Sequence, residues 1–351
     1  MRSAGSLPSQ LPLPLKLGIL AAGCAISASL VRRRRRMDFY GKSVVITGGS
    51  RGLGLELARG FAAEGANIVL LARDKQLLAE AERELQQFGV RVAALSCDVK
   101  NHDQVLKTVE AVAADFGIDV LINNAGIIQV GPYEQMEIED FEEAMATHFW
   151  GPLYLTLSVV NHMKRRGGGR IVNIASIGGK IAVPHLLPYV ASKFALVGLS
   201  EALRAELVRD RVYVTTVSPG LMRTGSHLNA LFKGQYKKEF ALFSVANASP
   251  LLSVGSGSAS RQIIEACRYG VAQLVIGPQA RFARFLNGLL PTLAGAVLST
   301  VARALPGPAS SVGARLMRGW QSRSALAPRL LTWPADRAAR RNREKLRPAP
   351  N

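Results

Sequence analysis

The sequence predicts a doubly wound, mostly parallel α/β sheet. Between residues 42 and 278, short β-branched runs alternate with longer helical stretches. Several runs are apolar nearly throughout (VVIT at 44–47, IVLLA at 68–72, VLIN at 120–123), as strands buried on both faces require. Strand–helix alternation in turn implies parallel pairing through right-handed crossovers. Strands are expected over 43–47, 67–72, 91–96, 120–123, 170–175, 212–218 and 273–277. Helices are expected over 53–64, 75–88, 104–116, 138–166, 189–208 and 259–269. No internal repeat at solenoid spacing interrupts this pattern.

The 351 residues, 48% hydrophobic, suffice for one large core. Cys24, Cys97 and Cys267 lie too far apart to suggest a disulfide framework or a metal site. The net charge of +19 sits in the tails, with +7 in residues 1–36 and +9 in 303–351, leaving +3 for the body. A nucleic-acid-binding domain would carry its basic face on the body, so no nucleic-acid partner is expected. Basic tails beside apolar segments suit an anionic membrane surface, with solvated tails as the alternative.

Two apolar segments flank the body. Residues 17–31 are uncharged and run straight into Arg32–Arg36. As a helix they would reach about 22 Å, short of a hydrocarbon core of roughly 30 Å. Charge following the apolar stretch opposes export of what comes next, so the expectation is a membrane anchor with the body on the cytoplasmic side. An organelle-targeting peptide is the alternative. Residues 285–302 are also uncharged but contain Asn287 and Pro291; a membrane-interfacial helix and a helix packed on the body are both open. The expected organisation is 1–36 anchor or targeting segment, 37–280 catalytic-type domain, 281–304 apolar helix, and 305–351 a basic, poorly ordered tail.

After the first strand the chain reads TGGSRGLG (47–54). Ligands of doubly wound sheets bind outside the carboxyl ends of the strands, and the N–H groups and dipole at the start of the next helix favour a phosphate there. Gly48 permits the tight turn, Gly52 a close pyrophosphate, and Gly54 close helix–strand packing. A tight turn without ligand is the alternative. The second strand ends in Leu71-Ala72-Arg73-Asp74. Arg51 and Arg73 are able to converge on a ribose 2′-phosphate, which favours NADP(H) over NAD(H); Asp74 is able to take the ribose role instead or to pair with an arginine.

Tyr189 and Lys193 lie four residues apart, on one helix face. A free phenol titrates near 10, and lowering it by about three units requires roughly 4 kcal/mol of differential stabilisation. A lysine cation and an oxidised nicotinamide both act in that direction. Ser176, at the end of a strand, would hold a carbonyl oxygen beside the phenol.

Together these motifs make the chain resemble a short-chain dehydrogenase/reductase of single-domain type with a Rossmann fold. The matching features are TGGSRGLG at 47–54, Asp98-Val99, NNAG at 123–126, Ser176, YVASK at 189–193, and Pro219-Gly220 followed by Thr224, covering about residues 40–280. The resemblance implies an oxidoreductase interconverting a ketone and a secondary alcohol. Ser176 would position the substrate oxygen, Tyr189 would exchange its proton, and Lys193 would lower the tyrosine pKa and hold the nicotinamide ribose. It further implies that Gly48, Ser50, Arg51, Gly52, Leu53 and Gly54 form the phosphate loop and that Asp98 and Val99 contact the adenine. Asn124, Ala125 and Gly126 would line the cofactor, and Pro219, Gly220, Met222 and Thr224 would lie by its nicotinamide end. A nucleotide-binding scaffold without turnover, acting as a membrane-associated interaction protein, is the alternative function.

His148 stands where many family members carry an asparagine that supports a water relay to the lysine. A structural role, a proton relay through a group of ordinary pKa near 6.5, and no catalytic part at all remain open. Residues 221–252 are expected to form a substrate-side lid, apolar in part (Leu228, Leu231, Phe232, Tyr236, Phe240, Leu242, Phe243). Beside a membrane, this suggests a lipid-like carbonyl or alcohol substrate, with packing on the sheet as the alternative. By resemblance, a homo-oligomer through the helices 138–166 and 189–208 is expected.

Overall fold

The computed structural model describes residues 34–309 and 316–344. At its centre is a seven-stranded, wholly parallel sheet in the order β7-β6-β5-β4-β1-β2-β3. The strands are β1 (Ser43–Thr47), β2 (Asn67–Ala72), β3 (Val92–Ser96), β4 (Val120–Asn123), β5 (Gly169–Ile174), β6 (Val212–Pro219) and β7 (Gln273–Ile276). The order reverses between β1 and β4, which places the switch point beside the glycine stretch. This is the doubly wound architecture that the alternation predicts.

Alternation along each strand feeds two cores, one per face. Val44, Ile46, Ile68, Leu70, Val120 and Ile122 pack beneath α1 (Gly52–Ala63), α2 (Lys75–Gln86) and α8 (Ser256–Arg268). Val45, Val69, Leu71, Leu121 and Ile171 pack against α3 (His102–Asp115) and α5 (Gly151–Arg165). The uninterrupted apolar runs are thus explained residue by residue, since odd and even positions both meet helices.

The long helix expected over 138–166 is broken. Helix α4 (Ile138–Met145) passes through a π-helical stretch, 146–150, into α5. Pro152 follows immediately and lacks the N–H that would close a regular turn. Such widened turns bring extra backbone and side chain into a site, and this one carries His148. Helix α6 (Leu187–Leu207) runs unbroken and carries Tyr189 and Lys193.

Most of the apolar residues named within 221–252 are packed rather than open, although Leu251 and Leu252 are exposed. Leu228, Phe232 and Phe240 are buried in a third cluster with Val130 and Ala339, packed by Tyr236 and Phe243; within the group only Leu242 is half exposed. Beyond β7, the chain forms α9 (Pro278–Leu289) and α10 (Pro291–Ala304), with Pro291 opening the second helix. Phe282, Phe285, Leu289, Leu293, Val297 and Val301 are exposed along the pair, while Ala280 and Ala294 are buried. Among the described residues no helix is long and apolar enough to cross a membrane; residues 17–31 lie outside them.

The tail over 305–351, expected to be poorly ordered, is structured where it is described. Met317–Arg318 pairs antiparallel with Leu231–Phe232, and α11 (Arg329–Arg341) packs with α7 (Tyr236–Ala248). Composition misleads here for a physical reason. The alanines, too small to register as a hydrophobic stripe, are buried (Ala335 and Ala339). The arginines meet acids far away in sequence, Arg341 with Glu56 at 2.8 Å and Arg343 with Glu80 at 2.8 Å.

The turn after β1 sets the tightest packing. A Cβ on Gly54 would strike the Gly48 carbonyl oxygen and lie 2.6 Å from Asn124 Nδ2. Gly54→Ala is therefore expected to destabilise the fold by about 1–3 kcal/mol, the ordinary cost of overpacking against backbone. Urea unfolding of the variant beside the parent checks it.

Candidate active site

The glycine turn is built by its neighbours. Gly48 and Gly52 both adopt φ +62°, a conformation other residues rarely take. Gly48 N–H donates to Leu71 O (2.7 Å), tying the turn to β2. Thr47 Oγ1 accepts from the N–H groups of Asn124 (2.9 Å) and Ala125 (3.0 Å), and Asn124 Nδ2 donates to Thr47 O (2.9 Å). The NNAG loop after β4 therefore clamps the loop after β1, with the strand ends side by side. Leu53 and Gly54 then open α1, whose first N–H groups have no partners within the helix. The helix mouth, its dipole and the close backbone fit an anionic pyrophosphate, although Gly52 N–H is here taken by Asn342 O (2.9 Å).

At the end of β2, Asp74 caps α2 by accepting from Leu77 N (3.0 Å), which commits one of its oxygens to the helix. Arg51 is influenced by Arg73, Arg318, Asp74 and Glu344, and burial lowers its pKa. The structure thus brings Arg51 and Arg73 into one neighbourhood, as the sequence predicts, and adds Arg318 from the tail. Asp98 N–H donates to Gln104 Oε1 (2.7 Å) at the end of β3, and Val99 is buried against Gly151. Gly220 N–H bonds Ile276 O (2.9 Å), and Thr224 N–H bonds Met222 O (2.9 Å), shaping the loop after Pro219 on β6. Ser50 is buried in the glycine turn.

The second half of the site lies at the ends of β4 and β5. Ser176 follows β5 and its Oγ accepts from Gly178 N (3.0 Å). A point one bond from the Gly178 Cα lies 3.3 Å from the Tyr189 ring and 3.5 Å from Ser176 Oγ, so the absence of a side chain at Gly178 leaves hydroxyl and phenol adjacent. Burial pushes the Tyr189 phenol up, and the Ser176 hydroxyl opposes this. Lys193 is buried, donates from Nζ to Ile174 O (2.8 Å), and lies 5.7 Å from the Tyr189 ring centre. Burial pulls its ammonium down to about 7.

His148 is completely enclosed. Its Nε2 accepts from Ile127 N–H (3.1 Å), which leaves the proton on Nδ1, 2.8 Å from Ser192 Oγ. Ser192 in turn donates to Tyr189 O (2.9 Å). Burial and the nearby Lys193 charge hold the imidazole well below its usual pKa. Both ring nitrogens are engaged, so His148 links the NNAG loop to the tyrosine's own turn of α6. The sequence did not foretell that link, because it needs the widened turn at 146–150. Asn342 and Glu344, which also reach the glycine turn, were missed as well. Their only trace in the sequence is an acid among many bases. Among the described residues no cluster of acids, histidines and cysteines is arranged to hold a metal ion.

A parallel sheet with its switch point at a phosphate-type turn, and a serine, tyrosine and lysine gathered at the neighbouring strand ends, defines a nucleotide-dependent oxidoreductase class. The sequence pattern of the short chain dehydrogenase family matches residues 42–231, and the chain belongs to that family of CH–OH/C=O oxidoreductases. It is similar to "Dehydrogenase/reductase SDR family member 7B" of Danio rerio, 33% identical over 303 residues that cover 83% of this chain and 96% of the relative. L-sorbose reductase from Gluconobacter frateurii, solved with NADPH and L-sorbose, superposes with a TM-score of 0.62 at 30% identity, covering 68% of this chain and 97% of its own. An actinorhodin polyketide ketoreductase solved with NADPH gives 0.60 at 30% identity, covering 67% of this chain and 95% of its own.

A buried lysine that titrates near 7 opposes folding. The penalty is full below about 7, where the ammonium is charged in both states. It fades between about 7 and 10.5, where the folded protein sheds the proton and the unfolded chain keeps it. Lys193→Met is therefore expected to raise the melting temperature of the cofactor-free protein at pH 6, by roughly 5 °C, and by less at pH 9. Paired thermal scans at the two pH values measure it.

Proposed function

We propose that this protein is an NADP(H)-dependent oxidoreductase that interconverts a ketone and a secondary alcohol. The observation that carries the reading is the adjacency of Ser176, Tyr189 and Lys193 to one another, beside a turn shaped for pyrophosphate. Gly48, Ser50, Gly52, Leu53 and Gly54 would hold the phosphates, Arg51 and Arg73 the ribose 2′-phosphate, Asp98 and Val99 the adenine. Asn124, Ala125, Gly126, Pro219, Gly220, Met222 and Thr224 would line the rest of the dinucleotide. NADPH in the two neighbouring reductase structures supports this choice. Bound nicotinamide supplies or accepts the hydride.

The chain's own part is the proton. In the direction of reduction Ser176 donates a hydrogen bond to the carbonyl oxygen, and Tyr189 transfers its phenolic proton to that oxygen. Oxidation reverses the transfer. The Lys193 cation stabilises the phenolate left behind. His148 is a positioning residue in this scheme, since its two hydrogen bonds hold the tyrosine's helical turn against the cofactor-side loop.

Two observations support a membrane setting and a lipid-like substrate. The apolar face of α9 and α10 is exposed beside Arg281 and Arg284, as a helix pair lying in a lipid interface would be. The basic run from Arg34 to Arg36 begins the described chain. Exposed Trp150, Leu157 and Phe194 on the helices flanking the site support association with a second copy.

Tyr189→Phe is expected to lower kcat at least a hundredfold, the usual worth of general acid catalysis, with NADPH affinity nearly unchanged. Stopped assays on a ketone panel and NADPH fluorescence titration separate the two, and full turnover in the variant would refute the mechanism. Replacing Arg51 and Arg73 together by alanine should weaken NADPH by a few kcal/mol, at about 1.5–3 kcal/mol per charge-assisted contact. NADH should be much less affected. Equal losses for both dinucleotides in the same titration would remove the two arginines from the 2′-phosphate.

A further inference from the structure

The chain's own C-terminal segment reaches the phosphate end of the candidate cofactor site. Gly52 N–H, at the mouth of α1, donates to Asn342 O (2.9 Å). The Glu344 carboxyl lies between the two walls of the site. A Cβ on Gly52 would run into its Oε1, and one on Gly225 would lie 2.6 Å from its Oε2. Asn342 is fully enclosed and Glu344 only 6% exposed. Glu344 Oε2, although buried, has no hydrogen-bond partner. A carboxyl group set at a helix N-terminus, against the glycine whose open Cα would otherwise face a pyrophosphate, occupies the space a cofactor phosphate would take.

We propose that residues 342–344 are a built-in latch: Glu344 takes the place of a dinucleotide phosphate in the closed form, and cofactor binding displaces it. The proposal rests on the dinucleotide reading of the site. Two kinds of contact make the latch exchangeable rather than permanent. Its outer anchors are ion pairs to α1 and α2, Arg341 to Glu56 (2.8 Å) and Arg343 to Glu80 (2.8 Å) and Glu84 (2.7 Å), and a hydrogen bond to the start of α8, Asn342 Nδ2 to Ser256 Oγ (3.1 Å). Arg341, the last residue of α11, keeps the segment near the site in either form, while the contacts of Asn342 and Arg343 are given up on opening. Its tip is held poorly. Burial pushes the Glu344 carboxyl up to about 8, only partly opposed by Arg51 and by a hydrogen bond with Asn229, and a buried acid with an unmet oxygen favours release.

The hinge lies further back. Asp336 on α11 accepts from Arg323 (2.6 Å) and Thr332 Oγ1 (3.1 Å) and faces His227 at 3.5 Å. Ala339 packs into the third core cluster. The helix therefore has its own attachment to the body, and only the three residues after it need to move.

A closed latch lowers the apparent affinity by the fraction of molecules held open. If nine molecules in ten are closed, the cost is about tenfold. NADPH titration of the full chain and of Glu344→Ala, followed by fluorescence, should give a dissociation constant roughly tenfold lower in the variant. Hydrogen exchange on the unaltered chain is the second readout: NADPH should increase exchange at 342–344 while protecting 48–54. An unchanged affinity in Glu344→Ala, or NADPH-induced protection of 342–344, would overturn the latch and leave the cofactor reading standing. If NADPH binds neither protein and protects nothing at 48–54, the cofactor reading falls and the latch falls with it.

Discussion

The close approach of α1 to the end of β1 is the constraint on which the rest of this structure depends. Gly54 must lie against the Gly48 carbonyl, and Thr47 and Asn124 must hold the ends of β1 and β4 side by side. Once those strand ends are fixed, the helix mouth, the NNAG loop and the ends of the neighbouring strands face one crevice. Thr47 and Asn124 spend their polar groups on this scaffold.

The chemistry has a cost in folding. Lys193 is buried and held by a single carbonyl, and burial pulls its ammonium down to about 7. A hydrophobic residue would suit that position better. His148 sits in a similar setting but escapes the penalty by staying neutral, its two nitrogens engaged by Ile127 and Ser192. The same low-polarity surroundings thus treat two basic side chains differently. Lys193 keeps its charge only in part near neutral pH, and His148 surrenders its own and acts as a fixed hydrogen-bonding link. The π-helical stretch makes this possible, because a regular helix through 146–150 would set His148 at a different angle to the NNAG loop.

The L-sorbose reductase structure is matched over nearly its whole length by about two thirds of this chain. Beyond residues 42–231, which carry the family pattern, lie α9, α10 and α11. The first pair presents an apolar face outward, while the last returns across α7 toward the glycine turn. Of the residues expected to make an apolar lid, Leu228, Phe232, Phe240, Tyr236 and Phe243 are instead packed in the cluster that includes Ala339 of this returning helix. The apolar content of 221–252 is therefore mostly structural, and the tail's basic residues anchor it to acids on the first two helices.

The sequence by itself determined the sheet, its parallel pairing and the place of the phosphate turn. Strands buried on both faces must be apolar at every position, and a glycine-rich strand-to-helix turn has few other physical meanings. It also determined that Tyr189 and Lys193 share a helix face, since spacing alone settles that. Only the tertiary structure decided what required distant partners. It committed Asp74 to a helix cap, gave His148 two bonds 21 and 44 residues away, and turned 316–344 from a solvated tail into a packed helix whose last residues reach Gly52. Local pattern carries information about which face a residue presents. It carries none about which distant acid an arginine will meet, or that a glutamate 292 residues after Gly52 will lie against it.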